Sequence, residues 1–170
     1  MSAKILLPVK AHVKKYLERT HGSHLEVSDR GYAPLLLFRL LEKHKKQDPG
    51  TVRPSQKLID DRKYFGYPIY IGDTNERKCG LYISNDSIKD FNEAIDDLIR
   101  EQMYWFIHHP NSTDKVVDYN INRFRDWYGI TEDELPFDNL KRWYYRERGR
   151  LTLRIENLIP PFTPQLTLNL

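Results

Sequence analysis

Residues 84 to 110 read SNDSIKDFNEAIDDLIREQMYWFIHHP, and this stretch gives the clearest structural signal in the chain. Ser84 or Asn85 can cap a helix start, and Pro110 disfavours helix in the residue before it. Between these ends, apolar residues recur at the spacing of one helix face: Ile88, Phe91, Ile95, Leu98, Ile99, Met103 and Phe106. The pattern predicts a long amphipathic helix with one apolar stripe.

Three elements are predicted upstream. The segment from Pro8 to Thr20 has helical periodicity, and Gly22 can end that helix. A short strand is predicted at His24–Val27. The segment Pro34–Leu41 is apolar on all sides, which is typical of a buried helix, so we predict that it forms the central helix.

The segments Tyr67–Ile71 and Cys79–Ile83 alternate bulky residues on either side of a turn region at Gly72–Asn75. This arrangement predicts a β-hairpin. Because Pro68 lacks a backbone N–H, the first of the two strands is expected at a sheet edge.

A second helix is predicted from Ser112 to Tyr128, where Gly129 ends it. Thr131 and Glu134 have capping-box spacing, and Pro136 suits the start of a helix that runs to Arg148. Two helices joined by a short glycine-containing turn form the core of a helix-turn-helix. The segment Leu151–Ile155 alternates and is predicted to be a strand.

The expected fold is therefore α+β and mostly helical, with a small β-hairpin or sheet packed on the helices and a C-terminal helix-turn-helix-like unit. Residues 1–110 form an α+β portion that contains a flexible basic linker at about 43–57. Residues 111–155 form the helix-turn-helix-like unit, and residues 156–170 form an extended, proline-rich tail.

Composition narrows the function classes. The chain has 170 residues, a net charge of +3 and a single cysteine, Cys79, which suits a reducing compartment. No segment approaches 18 continuous apolar residues, so we expect no membrane span and a cytoplasmic location. His108 and His109 are adjacent and diverge, and no phosphate loop or nucleophile with a base is evident. We therefore expect no metal, no cofactor and no enzymatic activity.

The predicted helix from Pro136 onward has the chemistry of a DNA-contacting element. Arginine and lysine pair with phosphates or with guanine, and asparagine can pair with adenine. The predicted DNA-binding residues are Asn139, Lys141, Arg142, Tyr145, Arg146, Arg148 and Arg150. The alternative is that this basic helix is only a solvated surface.

Two stretches carry a resemblance to a group of known proteins. They are Leu7-Pro8-Val9-Lys10 with Lys15-Tyr16-Leu17, and Tyr128 to Asp133 with Leu140-Lys141 and Tyr144-Tyr145-Arg146. The chain resembles small helix-turn-helix-like proteins of phages and mobile elements of Bacteroidetes. The resemblance implies a role in gene control, replication or particle assembly of such an element.

Two functions are therefore open. The first is a transcriptional regulator that binds double-stranded DNA and can act as a homodimer, with RNA as the alternative target. The second is a non-catalytic phage structural, assembly or adaptor protein that binds a protein partner through its tail. An alternating strand at the tail can pair with another sheet edge or fold back on its own domain. The predicted partner-binding residues are Phe162, Leu166, Leu168 and Leu170.

Overall fold

The computed structural model describes residues 2–43, 64–108 and 116–158, with side chains placed to Leu151. These residues form three strands and six helices. In chain order they are β1 (Ser2–Val9), α1 (Ala11–His21), β2 (Leu25–Glu26), α2 (Tyr32–Leu40), β3 (Phe65–Gly72), α3 (Asp73–Cys79), α4 (Asn85–Ile107), α5 (Val117–Tyr128) and α6 (Phe137–Leu158). The predicted class, a mostly helical α+β fold with a small sheet, is confirmed.

The sheet has the order β1-β3-β2, with β1 antiparallel and β2 parallel to β3. The prediction that Pro68 lies at an edge is wrong, because β3 is the central strand and Pro68 lies opposite Leu6 of β1. The proline is tolerated there because β2 pairs only with Ile69 and Tyr70 and does not extend alongside it.

The predicted hairpin is also wrong. The antiparallel partner of β3 is β1, and the chain after Gly72 forms α3 instead of a second strand. Acidic residues in the first turn of α3 and basic residues in its last turn match the helix dipole. Of the predicted second strand, Cys79 ends α3 and Tyr82 forms an isolated bridge with Glu42.

The N-terminal segment corrects another boundary. Pro8 was predicted to start a helix, but it belongs to β1, where Leu7 and Val9 are fully buried. The change from strand to helix is held by one side chain of α4. Asn92 accepts a hydrogen bond from the backbone N–H of Lys10 at 2.7 Å and donates one to the carbonyl of Pro8 at 3.1 Å. Helix α1 therefore begins later than the sequence indicated.

The predicted helix at Pro34–Leu41 exists, but it is not the central one. Only Ala33, Pro34 and Leu37 of α2 are buried, while Tyr32 is exposed. The central element is α4, which Ser84 caps by accepting from the N–H of Ser87 at 3.1 Å. Helix α4 packs against β1, α1, α2, α5 and α6, and the buried residues of all these elements form one cluster.

At the C-terminal end, α5 stops at Gly129, which has left-handed backbone angles as the sequence predicted. The strand predicted at Leu151–Ile155 is wrong, because α6 continues without a break to Leu158. Leu151 is buried and lies two helical turns beyond Tyr144, so it extends the buried face of the helix. The linker beyond Lys43 and the tail residues Phe162, Leu166, Leu168 and Leu170 lie outside the described residues.

Candidate nucleic-acid interface

Glutamate side chains hold the turn between α5 and α6. Glu134 Oε2 accepts a hydrogen bond from the backbone N–H of Thr131 at 2.9 Å, which is one half of a capping box. Glu132 Oε1 accepts from the N–H of Phe137 at 3.0 Å, and its Oε2 pairs with Arg125 Nη2 at 2.7 Å. The start of α6 is therefore tied to α5.

Lys15 of α1 fastens the same turn from the other side. Its Nζ donates to the carbonyl of Gly129 at 2.6 Å and to Glu134 Oε2 at 2.7 Å. Burial acts to raise the pKa of Glu134, but hydrogen bonds from Lys15 and the N–H of Thr131 outweigh it, so the pKa lies below its ordinary value. The orientation of α6 thus depends on α1 as well as on α5.

One face of α6 packs on the core and fixes the rotation of the helix. Leu140, Trp143, Tyr144 and Leu151 are buried. The ring of Tyr144 stacks on that of His108 with centroids 5.8 Å apart. Because these positions recur at helical spacing, Arg142, Tyr145 and Arg146 lie on the opposite side of the helix and are exposed.

The outward side of α6 carries the residues predicted to contact DNA. Lys141 is half-buried, and Asn139 is hydrogen-bonded to α4. The other predicted side chains project into solvent; they are Arg142, Tyr145, Arg146, Arg148 and Arg150. The structure therefore brings the predicted basic residues together on one exposed helix surface, here called the basic face.

A single carboxylate organises part of the basic face. Glu147 pairs with Arg146 Nε at 3.0 Å and with Arg150 Nε at 2.6 Å. Hydrogen bonds from Arg146 and then Arg150 hold the pKa of Glu147 below its ordinary value. The guanidinium of Arg148 lies 5.1 Å from the centroid of the Tyr145 ring. Exposed ion pairs contribute little to stability, so a phosphate can replace the carboxylate as partner.

Arg142 and Lys141 differ in availability. Lys141 Nζ bonds Asp118 Oδ2 of α5 at 2.7 Å, and this hydrogen bond raises the pKa of Lys141. Arg142 is exposed and makes no ion pair within the part of the chain that the structure describes. Arg142 is consequently the better placed of the two for an incoming ligand.

Asn139 has a structural partner that the sequence did not reveal. Its Oδ1 accepts from Arg100 Nη1 at 2.8 Å. An asparagine that reads adenine uses its amide oxygen and nitrogen together, so Asn139 must first release Arg100 to do so. Asn139 is therefore less available to a ligand than Arg142.

Arg100 belongs to a polar network that joins α1, α4 and α6. His12 Nε2 lies 3.0 Å from Asp96 Oδ1, and Asp96 Oδ2 accepts from both Nε and Nη2 of Arg100 at 3.0 Å. Burial acts to raise the pKa of Asp96, but the hydrogen bond from His12 and the charge of Arg100 outweigh it, and the pKa lies below its ordinary value. The network positions the first turn of α6 through Asn139.

The network opens into a polar cleft of about 390 Å³ between α4 and α6. Its walls carry three guanidinium groups and two carboxylates beside one indole. The lining residues are Asp96, Asp97, Arg100, Asn139, Arg142, Trp143 and Arg146. Sequence reasoning found the α6 half of this site and missed the α4 half, for which the only signal was the four-residue spacing of Asp96 and Arg100.

The network predicts a pH dependence. A carboxyl group whose pKa is depressed on folding stabilises the protein above its unfolded pKa, and this stabilisation is lost as the pH falls through the folded pKa. We therefore expect the free energy of unfolding of the native chain to exceed that of Asp96→Asn at neutral pH, and this difference to shrink below a pH of about 4. Urea unfolding at several pH values measures it. A difference that stays constant down to pH ~2 contradicts the assignment.

No protein-family model, curated protein or solved structure matches this chain. The likeness to phage and mobile-element proteins therefore stays a prediction. No helix among residues 2–43, 64–108 and 116–158 is long and apolar enough to cross a membrane. Within the same residues, no group of three or more histidine, cysteine or acidic side chains is placed to hold a metal ion.

Proposed function

We propose that this protein binds double-stranded DNA through the basic face of α6, as a regulator of transcription in a phage or mobile element. The observation that carries the proposal is the exposed row of Arg142, Arg146 and Arg150 on a helix whose opposite side is buried. The row spans about 12 Å along the helix axis, at 1.5 Å per residue. An α-helix with its side chains is about 10–12 Å across, so it fits the major groove, which is about 12 Å wide.

The residues divide into two roles. Arg146 and Arg150 bind phosphates of the DNA backbone, because a phosphate can take over the hydrogen bonds that Glu147 now accepts, and Arg148 binds a further phosphate. Arg142 reads a base, with guanine O6 and N7 as the matching acceptors. Tyr145, which lies beneath the guanidinium of Arg148, holds that cation at the surface.

The first test is binding of the purified chain to a labelled duplex over a salt series. Arg142→Ala combined with Arg146→Ala is expected to weaken binding and to reduce the slope of log affinity against log salt by about 1, for the phosphate contact that Arg146 loses. Arg77→Ala combined with Lys78→Ala on α3 is the charge-matched control, since both residues are exposed and lie outside α6. Equal losses in the two double variants would refute the interface.

Base reading is tested separately. Arg142→Ala alone is expected to relax sequence preference at one position and to cost about 1–3 kcal/mol of binding free energy to the preferred sequence. Selection of preferred duplexes from a random pool, with the native chain and the variant in parallel, measures the preference. An unchanged preference would show that Arg142 does not read a base and would assign it to the phosphate-binding residues instead.

A further inference from the structure

The outward face of α5 exposes aromatic side chains on either side of an arginine. Tyr119, Arg123 and Trp127 follow one another at four-residue intervals, so they line one side of the helix. Tyr119 is 50% exposed and Trp127 61% exposed. Large rings at this exposure leave apolar surface in water that a ligand could cover. These three residues are called the aromatic ridge.

Each ring of the ridge has a guanidinium beside it. Arg19 of α1 lies 4.8 Å from the centroid of Trp127. Arg123 lies 5.7 Å from the centroid of Tyr119 and 5.8 Å from that of Phe106 on α4. The ridge therefore alternates stacking surfaces with cations over about 12 Å of helix, at 1.5 Å per residue.

The pairing of Arg19 with Trp127 follows from how α1 is fixed against α5. The rings of Tyr16 and Tyr128 are in contact, with centroids 5.3 Å apart, and Lys15 holds the carbonyl of Gly129. Arg19 and Trp127 lie next to these contacts on their respective helices. Arg19 is thus held beside the ridge because the relative position of α1 and α5 is already set.

We propose that the aromatic ridge binds single-stranded nucleic acid, with bases on Trp127 and Tyr119 and phosphates on Arg19 and Arg123. Alternating rings and cations match the alternation of base and phosphate along a strand. A duplex keeps its base faces stacked inside and cannot offer them to the rings. A purely apolar protein surface would strip water from both guanidinium groups without pairing them.

Negative charges near Trp127 limit the affinity of the ridge for a nucleic-acid strand. The cleft beside it, about 440 Å³, is also lined by Glu18 and Asp126. Glu18 lies 3.9 Å from Lys14, while Asp126 is exposed next to the ring. Asp126→Asn is therefore expected to tighten binding of a strand.

The test uses a fluorescently labelled oligothymidylate and the full chain. Trp127→Ala and Tyr119→Ala are each expected to weaken binding about tenfold, since loss of one stacked base costs roughly 1–3 kcal/mol. Trp127→Phe is expected to retain most of the binding, because phenylalanine keeps a stacking face. Trp105→Ala is the matched control: it removes a 48% exposed tryptophan of α4 that lies outside the ridge.

The outcomes separate this proposal from duplex binding by α6. Trp127→Ala is expected to leave duplex affinity unchanged, and the Arg142, Arg146 double variant is expected to keep the stacking contribution to oligothymidylate binding. Failure of one proposal therefore leaves the other standing. Absence of oligothymidylate binding, or equal losses in Trp127→Ala and Trp105→Ala, would overturn the ridge as a nucleic-acid site. Binding of polyglutamate in place of oligothymidylate would overturn it in favour of an acidic protein partner.

Discussion

Replacing Gly80 with alanine is expected to lower the free energy of unfolding by about 4 kcal/mol. Gly80 ends α3 with φ 85° and ψ −169°, a region that is essentially restricted to glycine and costs other residues about 1–3 kcal/mol. A Cβ at this position would also meet the backbone of Glu42 and lie 2.6 Å from the Cα of Lys43. Overpacking of this kind costs about 1–3 kcal/mol more.

Two other glycines allow the cost of backbone strain to be measured apart from the cost of the steric clash at Gly80. Gly22 has nearly the same backbone angles, φ 84° and ψ −152°, but a Cβ there would meet nothing within 4 Å. Gly22→Ala is therefore expected to show the strain alone, about 2 kcal/mol. Gly129 has ordinary left-handed angles and open space, so Gly129→Ala should cost about 1 kcal/mol. Urea unfolding followed by circular dichroism gives the order, and Gly80→Ala no worse than Gly22→Ala would contradict the clash.

Removal of the Asp96 carboxylate is expected to cost about 3 kcal/mol, the low end of the range for buried ion pairs, because it leaves the charge of the largely buried Arg100 uncompensated. Asp96→Ala removes the shared acceptor of Arg100, whose side chain is 11% exposed, and of the buried His12. It also frees the guanidinium that orients Asn139. Chemical denaturation measures the loss.

Asp97→Ala is the control, because this neighbouring carboxylate is exposed. It is expected to change the free energy of unfolding by less than about 0.5 kcal/mol, as surface substitutions usually do. The double variant His12→Ala with Asp96→Ala should cost less than the sum of the two single variants, since the pair shares one contact. Additive losses, or equal losses from Asp96→Ala and Asp97→Ala, would show that the network does not act as a unit.

The helical half of the fold was predictable because its signals are local. The apolar stripe of α4, its cap at Ser84 and the left-handed Gly129 each depend on residues within a few positions of one another. The errors at Leu151–Ile155 and Cys79–Ile83 arise because alternation over five residues does not define a strand by itself. At Leu151–Ile155 the residues continue α6, whereas after Cys79 the chain leaves α3 and only Tyr82 forms an isolated bridge.

The sheet was harder to predict because its pairing is long-range. β1 pairs along its length with β3, and no local feature of either strand identifies the other as its partner. Pro8 and Pro68 pointed away from a central pairing, yet β1 and β3 accommodate both. The positional preference of proline is still met, since β1 is an edge strand and β2 does not extend alongside Pro68.

The candidate site shows the same division. The basic face follows from helical periodicity once Leu140 and Tyr144 are assigned to the core. The network around Asp96 and Arg100 could not be predicted in this way. Its other two members, His12 of α1 and Asn139 of α6, come from helices that only the tertiary fold brings together. Periodicity also places Tyr119 and Trp127 on one side of α5, but it cannot tell that this side is left uncovered.

The position of β1 has a consequence for synthesis on the ribosome. Val9 pairs with Phe65 and Ser2 with Gly72, so β1 has no partner in the sheet until β3 has also been made. During that interval Leu7 and Val9, which end fully buried, are open to solvent and to chaperones. After β3 has been made, the backbone groups of Pro8 and Lys10 still gain their hydrogen bonds only when Asn92 has been made as well. The junction between β1 and α1 is thus secured only after a residue 82 positions beyond Lys10 has been translated.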